Sequence, residues 1–381
     1  MPRLCGKVIG FRSLSRLVGV SVMIDSVKLD QPGEGRLAHA PSHHPGVPRA
    51  KVGVVVANLG TPDATDYWSM RRYLSEFLSD KRVVDYANWK WQPLLQLIIL
   101  TKRPFSSGKA YRSIWNTEKD ESPLLTITRA QTEKLTERLK ALYGDSVDVD
   151  FCMRYGNPST KSVLNRMKEK GCERIVFFPL YPQYGSPTTA TANDEAFRAL
   201  MKMKWQPSIR TVPAYFDQPS YIQALANSVT DVYRQLETRP TKLVASYHGV
   251  PERYLLEGDP YHCQCQKTTR LLREALGFGK EEVDTAFQSQ FGPEKWVGPA
   301  TVEHVASLAR QGHKHIAIMS PAFSSDCVET LEEIKEEIHD SFMAAGGETF
   351  SYIPCLNDRD DHIAALVDVI NNELSGWLPK P

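Results

Sequence analysis

The sequence lacks an excess of charge of either sign. It contains 46 lysine and arginine residues against 45 aspartate and glutamate residues, for a formal net charge of +1 over 381 residues. Nucleic-acid binding requires clustered basic side chains that neutralise phosphates. The balanced composition therefore predicts no nucleic-acid partner.

Long apolar runs are also lacking. No run reaches the roughly 18 residues of a membrane-spanning helix, so the sequence predicts no such helix. Hydrophobic residues still make up 41% of the chain, which is enough for the cores of one large or two medium domains.

Cysteine is sparse and present in an odd number. Secreted domains that depend on disulfides have dense, paired cysteines, whereas these are scattered along the chain. This usage favours a reducing compartment, and we expect a cytoplasmic protein. The cysteines are Cys5, Cys152, Cys172, Cys263, Cys265, Cys327 and Cys355.

A glycine-rich phosphate loop is missing as well. No GxGxxG follows a predicted strand, and GxxxxGK[ST] does not occur. Enzymes that use dinucleotides or nucleoside triphosphates need such a loop to hold the phosphates. The sequence therefore predicts no organic cofactor of this kind.

The first fifty residues differ from the rest of the chain. Residues 1–24 contain Arg3, Arg12 and Arg16 and no acidic residue, as targeting segments do, and a genuine transit segment would place the protein in a mitochondrion. The alternative is a non-native extension before a true start at Met23. Residues 30–50 are rich in Pro, Gly and His. We expect residues 1–50 to form a flexible N-terminal extension.

From residue 51 onward, short apolar runs alternate with helical patterns, and the order repeats. The block at residues 149–182 and the block at residues 286–323 both run strand, helix, glycine and strand. The glycines, Gly171 and Gly312, suit the left-handed position that commonly ends a helix.

This repetition predicts an α/β fold with two similar halves, residues 51–220 and residues 221–381. Strands that alternate with helices imply a parallel sheet flanked by helices in each half. Ligands of such sheets bind beyond the carboxyl ends of the strands. The cleft between the halves is therefore the expected site.

His248 is the first candidate for chemistry. It ends an apolar run and precedes Gly249 and Pro251, which would hold it rigidly at the edge of the cleft. Imidazole can accept a proton near neutral pH or bind a metal such as ferrous iron. An ordinary histidine that is hydrogen-bonded within a turn is the alternative.

An acidic stripe follows the last strand of the repeated block. At α-helical spacing its carboxylates share one side of a helix that Ser324 or Ser325 would cap. A solvated surface face is the ordinary explanation, but few lysines pair with the stripe, and it begins beside the expected cleft. Clustered carboxylates raise one another's proton affinity and are suited to relay protons or pass on a cation. The stripe consists of Asp326, Glu329, Glu333, Glu337 and Asp340.

Two further sets of residues can contribute to a site. The apolar segment LLQLIIL at residues 94–100 is too short to cross a bilayer, and we expect a buried helix there. A cleft lip or a patch that rests on a membrane surface is the functional alternative. Candidates for recognition of substrate carboxylates are Lys102, Arg103, Arg112 and Arg154.

Seven segments, taken in order, resemble the ferrochelatase family from about residue 51 to the C-terminus. One of them alone would be weak, but the shared order is specific. The segments are NLGTP (58–62), YLSEFLSD (73–80), MRYGNP (153–158), YPQYGSPTTAT (181–191), SYHGVPERY (246–254), FQSQFGPEKWVGPAT (287–301) and SPAFSSDCVETLEE (320–333).

The resemblance implies two Rossmann-like, chelatase-type halves around a porphyrin cleft. It also implies a lyase that inserts Fe²⁺ into protoporphyrin IX to form protohaem, the last step of haem biosynthesis. His248 would be the proton acceptor and a metal ligand, and Glu329 its metal and proton partner across the cleft. Asp326 and Glu333 would belong to an acidic path for the metal.

The resemblance also implies which residues contact the porphyrin. Leu59, Arg154, Tyr155 and Trp296 match residues of the family's pocket. Tyr181 and Phe323 are aromatic residues that can line the pocket of a flat ligand.

Two alternatives share much of this machinery. A related chelatase would use coproporphyrin or insert cobalt, and additional substrate carboxylates would require additional Arg and Lys in the pocket. A haem carrier without catalysis would need an axial ligand but no acidic path. The sequence does not determine the oligomeric state.

The cysteines differ from those of some family members, which bind a [2Fe–2S] cluster through C-terminal cysteines. No cysteine follows Cys355 in the sequence, so we expect that arrangement to be absent. We expect unliganded thiols rather than a cluster on the other candidates, and iron as a substrate only. Those candidates are Cys152, Cys172, Cys263 and Cys265.

Overall fold

Two parallel four-stranded sheets form the centre of the computed structural model, which describes residues 50–379. The first sheet has the strand order β2-β1-β3-β4 and the second the order β6-β5-β7-β8, so the two sheets have the same topology. The predicted α/β fold with two similar halves is therefore confirmed. The strands are β1 (Lys51–Thr61), β2 (Val147–Gly156), β3 (Cys172–Pro179), β4 (Ser208–Thr211), β5 (Lys242–His248), β6 (Val283–Gln288), β7 (His315–Met319) and β8 (Thr349–Tyr352).

Helices connect the strands and cover the sheets, as parallel pairing requires. The α-helices are α1 (Tyr67–Leu78), α2 (Asn88–Leu94), α3 (Leu100–Ile114), α4 (Pro123–Tyr143), α5 (Thr160–Glu169), α6 (Thr191–Met201), α7 (Pro219–Tyr233), α8 (Glu252–Leu256), α9 (Tyr261–Leu276), α10 (Thr301–Arg310), α11 (His339–Ala344) and α12 (Asp360–Leu374). The other helical elements are a 3₁₀-helix at Gly144–Ser146 and π-helices at Leu95–Ile99, Ser186–Ala190 and Glu329–Ile338.

The two glycines that end the repeated helices have the expected conformation. Gly171 follows α5 with a φ of 87°, and Gly312 follows α10 with a φ of 94°. A side chain at this left-handed φ would be strained, so glycine allows the chain to leave each helix and enter the next strand. This prediction is confirmed.

The apolar segment at residues 94–100 is not the buried helix that we expected. Leu95 and Leu100 are buried, but Leu97 is 72% exposed and Ile98 is 58% exposed. The segment forms the π-helix at Leu95–Ile99 between α2 and α3, and it packs against the rest of the protein on one side only. The continuous apolar run therefore does not correspond to continuous burial.

The acidic stripe also differs from the predicted α-helix. It forms a π-helix that begins at Glu329, and no side chain caps it. The expected caps are engaged elsewhere, because the hydroxyls of Ser324 and Ser325 both bond the amide of Gln131 on α4. We call the segment Glu329–Ile338 the acidic π-helix.

The last helix packs against elements of the first half. Apolar residues of α12, among them Ile363 and Leu366, share one core with Leu135 and Leu139 of α4. The two sheets are thus joined by a common core rather than by a linker. The proposed boundary at residue 220 stays a prediction, and the N-terminal extension lies outside the described residues.

Within residues 50–379, no helix has both the length and the apolar character needed to span a bilayer.

Candidate active site

A cavity of about 670 Å³ is lined by residues of both halves at the carboxyl ends of the strands. Leu59 near the end of β1 contributes from the first half, and His248 at the end of β5 contributes from the second. Glu329 and Glu333 of the acidic π-helix face the same space. The cleft expected from the strand pattern therefore brings together the residues predicted to do the chemistry.

His248 has a defined tautomer. Its Nδ1 lies 2.7 Å from the carbonyl oxygen of Gly249. A carbonyl oxygen can only accept a hydrogen bond, so Nδ1 carries the proton. The neutral ring therefore has its lone pair on Nε2, which is the nitrogen that can accept a proton or bind a metal.

Glu333 is held by a ring of donors. Its carboxylate accepts hydrogen bonds from the backbone N–H of Ser289 at 2.7 Å, from the Ser289 hydroxyl, and from the Gln288 amide at 3.2 Å. Burial raises the pKa of Glu333, and the Ser289 bonds and the nearby charge of His248 oppose that rise. Glu333 is thus a fixed carboxyl with increased proton affinity beside His248.

Glu329 faces the first half across the cavity. Tyr73 of α1 and Tyr111 of α3 also line the cavity. Burial raises the pKa of both phenols, and the negative charge of Glu329 raises the pKa of each further. Both tyrosines therefore stay protonated, and the Glu329 carboxylate lies close enough to influence them.

Gln288 links these groups, and the sequence interpretation did not identify it. It lies at the end of β6, opposite His248 in the register of the sheet, and is 2% exposed. Its amide nitrogen donates to the backbone oxygen of Glu329 at 2.8 Å and to the Glu333 carboxylate. Its amide oxygen accepts from Ser246 at 2.8 Å. A glutamine in a buried strand was the available signal, because such a side chain must find partners.

Arg103 of α3 supplies positive charge to the cavity. Among the described residues that line it, Arg103 is the only lysine or arginine. Lys102 and Arg112, the neighbouring candidates for carboxylate recognition, do not line it. The cavity therefore presents one permanent cation to a carboxylate-bearing ligand.

Most residues predicted to contact a porphyrin reach the cavity. The structure places four of them on its wall, namely Leu59, Tyr181, Trp296 and Phe323. Their apolar and aromatic surfaces suit a flat, largely apolar ligand.

Arg154 and Tyr155 do not line this cavity, in contrast to the expectation from the resemblance. The Arg154 guanidinium is buried in an ion pair with Asp80, and its Nε donates to the Thr191 hydroxyl at 2.7 Å. The Tyr155 hydroxyl donates to the same Asp80 carboxylate at 2.9 Å. A buried guanidinium must be paired, and this pairing turns Arg154 away from the cavity.

Asp326 also lies outside the cavity wall. It is 6% exposed, and its carboxylate accepts hydrogen bonds from Thr330, Tyr352 and Asn357. The predicted place of Asp326 in an acidic path along the cavity is therefore not supported by its position. Its partners leave the carboxylate few free lone pairs.

Four acids of the acidic π-helix line the cavity. Glu332 lines it together with Glu329, Glu333 and Glu337. The predicted acidic stripe does not include Glu332, although it lies three positions after Glu329, a spacing that places two side chains on the same side of a helix. Within residues 50–379, no three His, Cys, Asp or Glu side chains converge closely enough to hold one ion.

The four thiols considered for a cluster do not lie together. Cys152 and Cys172 are buried in a core beside the first sheet, and Cys265 is buried in another core beside the second sheet. Cys263 is exposed. These positions provide no shared site for one cluster in the described part of the chain.

The family model for ferrochelatase matches residues 51–374. The chain belongs to the ferrochelatase family. It is 66% identical to the ferrochelatase of Rhodobacter capsulatus over 343 residues, which cover 90% of this chain and 98% of that one. It is 55% identical to the ferrochelatase of Rhizobium etli strain CIAT 652 over 338 residues, which cover 89% of this chain and 98% of that one.

Membership in the ferrochelatase family confirms the predicted family and the prediction of an enzyme, a lyase that inserts metal into a porphyrin. A solved structure of SirB from Bacillus subtilis with Fe³⁺ is similar in fold, with a TM-score of 0.50 and 12% identity. That similarity covers 86% of this chain and 97% of the other. At this identity it supports the chelatase-type fold alone.

Proposed function

We propose that this chain inserts Fe²⁺ into protoporphyrin IX to form protohaem, and that His248 and Glu329 carry out the insertion. The observation that carries the assignment of these two residues is their common cavity. The free Nε2 of His248 and the Glu329 carboxylate are two different kinds of ligand, an imidazole nitrogen and a carboxylate oxygen, and both side chains line this cavity. Family membership supports the reaction itself.

The chemistry requires an acceptor for two protons. Two pyrrole N–H bonds break as iron bonds to the four porphyrin nitrogens, so one Fe²⁺ enters and two protons leave. His248 accepts a proton at Nε2, and the Gly249 carbonyl then stabilises the imidazolium through Nδ1–H. Glu329 replaces water on the incoming ion and takes part in removing the second proton.

The cavity wall has a role in bending the ring. A planar macrocycle shields its nitrogen lone pairs, so it must ruffle before a metal can enter. Leu59, Trp296 and Phe323 line the cavity and offer apolar and aromatic contacts to the ring. A wall that fits the ruffled ring better than the flat one stabilises the transition state more than the substrate.

Glu333, Glu332 and Glu337 form the path by which protons leave or iron arrives. Glu333 lies beside His248, whereas Glu337 is exposed at the outer part of the same helix. The raised pKa of Glu333 lets it take up a proton from the site and pass it outward along the acidic π-helix.

The single cation of the cavity favours a porphyrin with few carboxylates. Protoporphyrin carries two propionates, coproporphyrin carries four, and each buried carboxylate needs a partner. Arg103 alone among the described lining residues offers a permanent charge. We therefore propose protoporphyrin rather than coproporphyrin or a more highly charged tetrapyrrole as the substrate.

The exposed apolar residues around α2 and α3 serve as a peripheral membrane contact in this proposal. Trp89, Leu97, Ile98 and Phe105 are exposed, and α3 also supplies cavity residues such as Arg103. Several exposed apolar residues on elements next to the cavity suit a lipid interface and an apolar substrate. We place the protein in the cytoplasm, peripheral to the inner membrane; a mitochondrial location would depend on residues 1–24, which lie outside the described residues.

The direct test is an anaerobic assay of the purified chain with ferrous iron and either protoporphyrin or coproporphyrin. We expect protohaem formation with protoporphyrin and a much lower kcat/KM with coproporphyrin. Preference for coproporphyrin would overturn the substrate assignment. Tight porphyrin binding without metal insertion would instead indicate a carrier.

A further inference from the structure

The loops that follow β7 and β8 meet because these two strands are neighbours and run parallel. The first loop carries Asp326 and leads into the acidic π-helix, which begins three residues later. The second loop carries Asn357, whose φ of 49° lies in the left-handed region. Asn and Asp tolerate this conformation better than other residues with a side chain.

Asn357 and Asp326 make a reciprocal pair of hydrogen bonds. The backbone N–H of Asp326 donates to Oδ1 of Asn357 at 2.8 Å, and Nδ2 of Asn357 donates to Oδ2 of Asp326 at 2.7 Å. The first bond requires an oxygen facing the N–H, so the amide has only one orientation that satisfies both. We call this pair the Asn357–Asp326 clamp.

The clamp is anchored on both sides. On one side, Oδ1 of Asp326 accepts from the Thr330 hydroxyl at 2.9 Å, from Tyr352, and from the backbone N–H of Cys355 at 3.3 Å. Thr330 is fully buried and belongs to the first turn of the acidic π-helix, next to Glu329. The Asp326 carboxylate thus connects the clamp directly to the turn that carries Glu329.

On the other side, the Asn357 carbonyl oxygen accepts from the Gln131 amide at 3.0 Å and from Nδ1 of His362 at 2.6 Å. Gln131 is fully buried on α4, and its amide also donates to the backbone oxygen of Ser324 at 3.0 Å. The clamp therefore has a fixed base on α4 and α12, which share a core. Movement of Asn357 would break several buried hydrogen bonds at once.

We propose that Asn357 is a positioning residue for metal insertion and that it acts through Asp326, which fixes the first turn of the acidic π-helix and with it the Glu329 carboxylate. In this role Asp326 neither binds the metal nor relays protons. The proposal rests on the proposed function of Glu329. It assigns a role to two groups that lie behind the cavity wall rather than in it.

An exchange of the two side chains distinguishes positioning of Glu329 from direct metal binding or proton relay by Asp326. In Asn357→Asp, two carboxylates oppose each other across a 2.7 Å contact; in Asp326→Asn, two groups with donor hydrogens oppose each other. In the double variant, Asn at 326 donates to Asp at 357, which also accepts the backbone N–H of residue 326. Every bond of the clamp is then restored, and the number of buried charges is unchanged.

The measurements are kcat and KM for protoporphyrin with ferrous iron under anaerobic conditions, at a temperature where circular dichroism shows every variant folded. We expect each single exchange to lower kcat by about 10–100-fold, as displacement of a catalytic group by about 1 Å does, with KM changed by no more than about threefold. The double variant should recover to within about fivefold of the wild-type kcat. Asn357→Gly keeps the left-handed backbone and removes only the side-chain amide. If a single exchange does not fold, this variant takes its place and should show the same loss of kcat.

Two results would overturn the proposal. A double variant as inactive as Asp326→Asn would show that a carboxylate is needed at position 326 itself. Wild-type kcat in Asn357→Asp or Asn357→Gly would show that the clamp does not position Glu329. Absence of turnover in the wild-type chain would instead refute the proposed function, so the two failures are distinguishable.

Discussion

Replacement of Gln288 by methionine tests whether one buried amide holds both glutamates in place. Methionine has a similar length and no hydrogen-bonding amide. The substitution removes the donor to the Glu329 backbone oxygen at 2.8 Å and one donor to the Glu333 carboxylate at 3.2 Å. Glu333 keeps both bonds from Ser289, and Ser246 keeps its bond to Thr301. The substitution also removes the acceptor of the Ser246 and Ser320 hydroxyls, so two of the four lost bonds lie on the acidic π-helix.

The expected magnitude follows from these contacts. A buried hydrogen bond contributes about 0.5–1.5 kcal/mol and one to a charged group about 1.5–3 kcal/mol, so loss of the bonds to Glu329 and Glu333 alone should lower the free energy of unfolding by about 2–4 kcal/mol. Release of the Glu329 main chain should lower kcat by about 100-fold, while the Kd for protoporphyrin changes by no more than about threefold. Urea unfolding measures the first effect, and anaerobic kinetics with fluorescence titration measure the others.

Gln264→Met is the matched control. Gln264 on α9 is half-buried, does not line the cavity, and accepts one hydrogen bond from the backbone N–H of Tyr184 at 2.7 Å. Its replacement should cost only about 0.5–1.5 kcal/mol and leave kcat unchanged. If Gln288→Met loses stability but keeps the wild-type kcat, Gln288 does not position the catalytic glutamates, and this reasoning is refuted.

Three further predictions concern binding, pH and lipid contact. Arg103→Gln should raise the KM for protoporphyrin by about 10-fold or more, because a charge-assisted hydrogen bond to the substrate is lost. Lys102→Gln changes a residue outside the cavity and should leave the KM unchanged. Equal KM values for the two variants would contradict the role of Arg103. Burial raises the pKa of Glu333 in the folded protein, so its carboxyl destabilises the fold increasingly as the pH rises through and above the ordinary carboxyl range. We therefore measure the free energy of unfolding of Glu333→Gln and of the wild type in urea. The variant's value minus the wild-type value should increase between about pH 4 and pH 7. A constant or falling difference would contradict the raised pKa of Glu333. In a sedimentation assay, Leu97→Glu should weaken binding to phosphatidylcholine–phosphatidylglycerol vesicles by about 10-fold or more. Leu256→Glu changes another exposed leucine and should bind like the wild type. Equal binding of the two variants would contradict the membrane contact.

The sequence predicts best what depends on neighbouring residues. Burial alone explains why two apolar runs become β1 and β5. Backbone conformation alone explains the glycines at 171 and 312. His248 was predictable for the same reason, because a strand followed by Gly and Pro places its last side chain at the sheet edge.

Features that depend on distant partners were not predictable in this way. Arg154 pairs with Asp80, 74 positions away, and this pairing decides that Arg154 turns from the cavity. Asp326 shares the acidic spacing of Glu329, but its contact with Asn357, 31 positions away, gives it a different environment. Spacing along one helix carries no information about such partners.

The acidic segment was a second source of error. The predicted stripe omits Glu332, although this residue lies three positions after Glu329 and also lines the cavity. Likewise, Leu97 and Ile98 are apolar residues in an apolar run, yet the fold leaves them on the surface. Local hydrophobicity does not show which side of a helix the rest of the protein covers.

The central claim is that His248 is the proton acceptor for metal insertion, and a single-turnover measurement tests it most directly. Protoporphyrin is first bound to His248→Ala, with binding shown by fluorescence, and ferrous iron is then added anaerobically. We expect wild-type porphyrin affinity and an insertion rate reduced by about 100-fold or more, as for loss of a general base. The control, His304→Ala, removes a half-buried histidine that pairs with Asp284 outside the cavity and should insert iron at the wild-type rate. Insertion by His248→Ala at the wild-type rate would contradict the account.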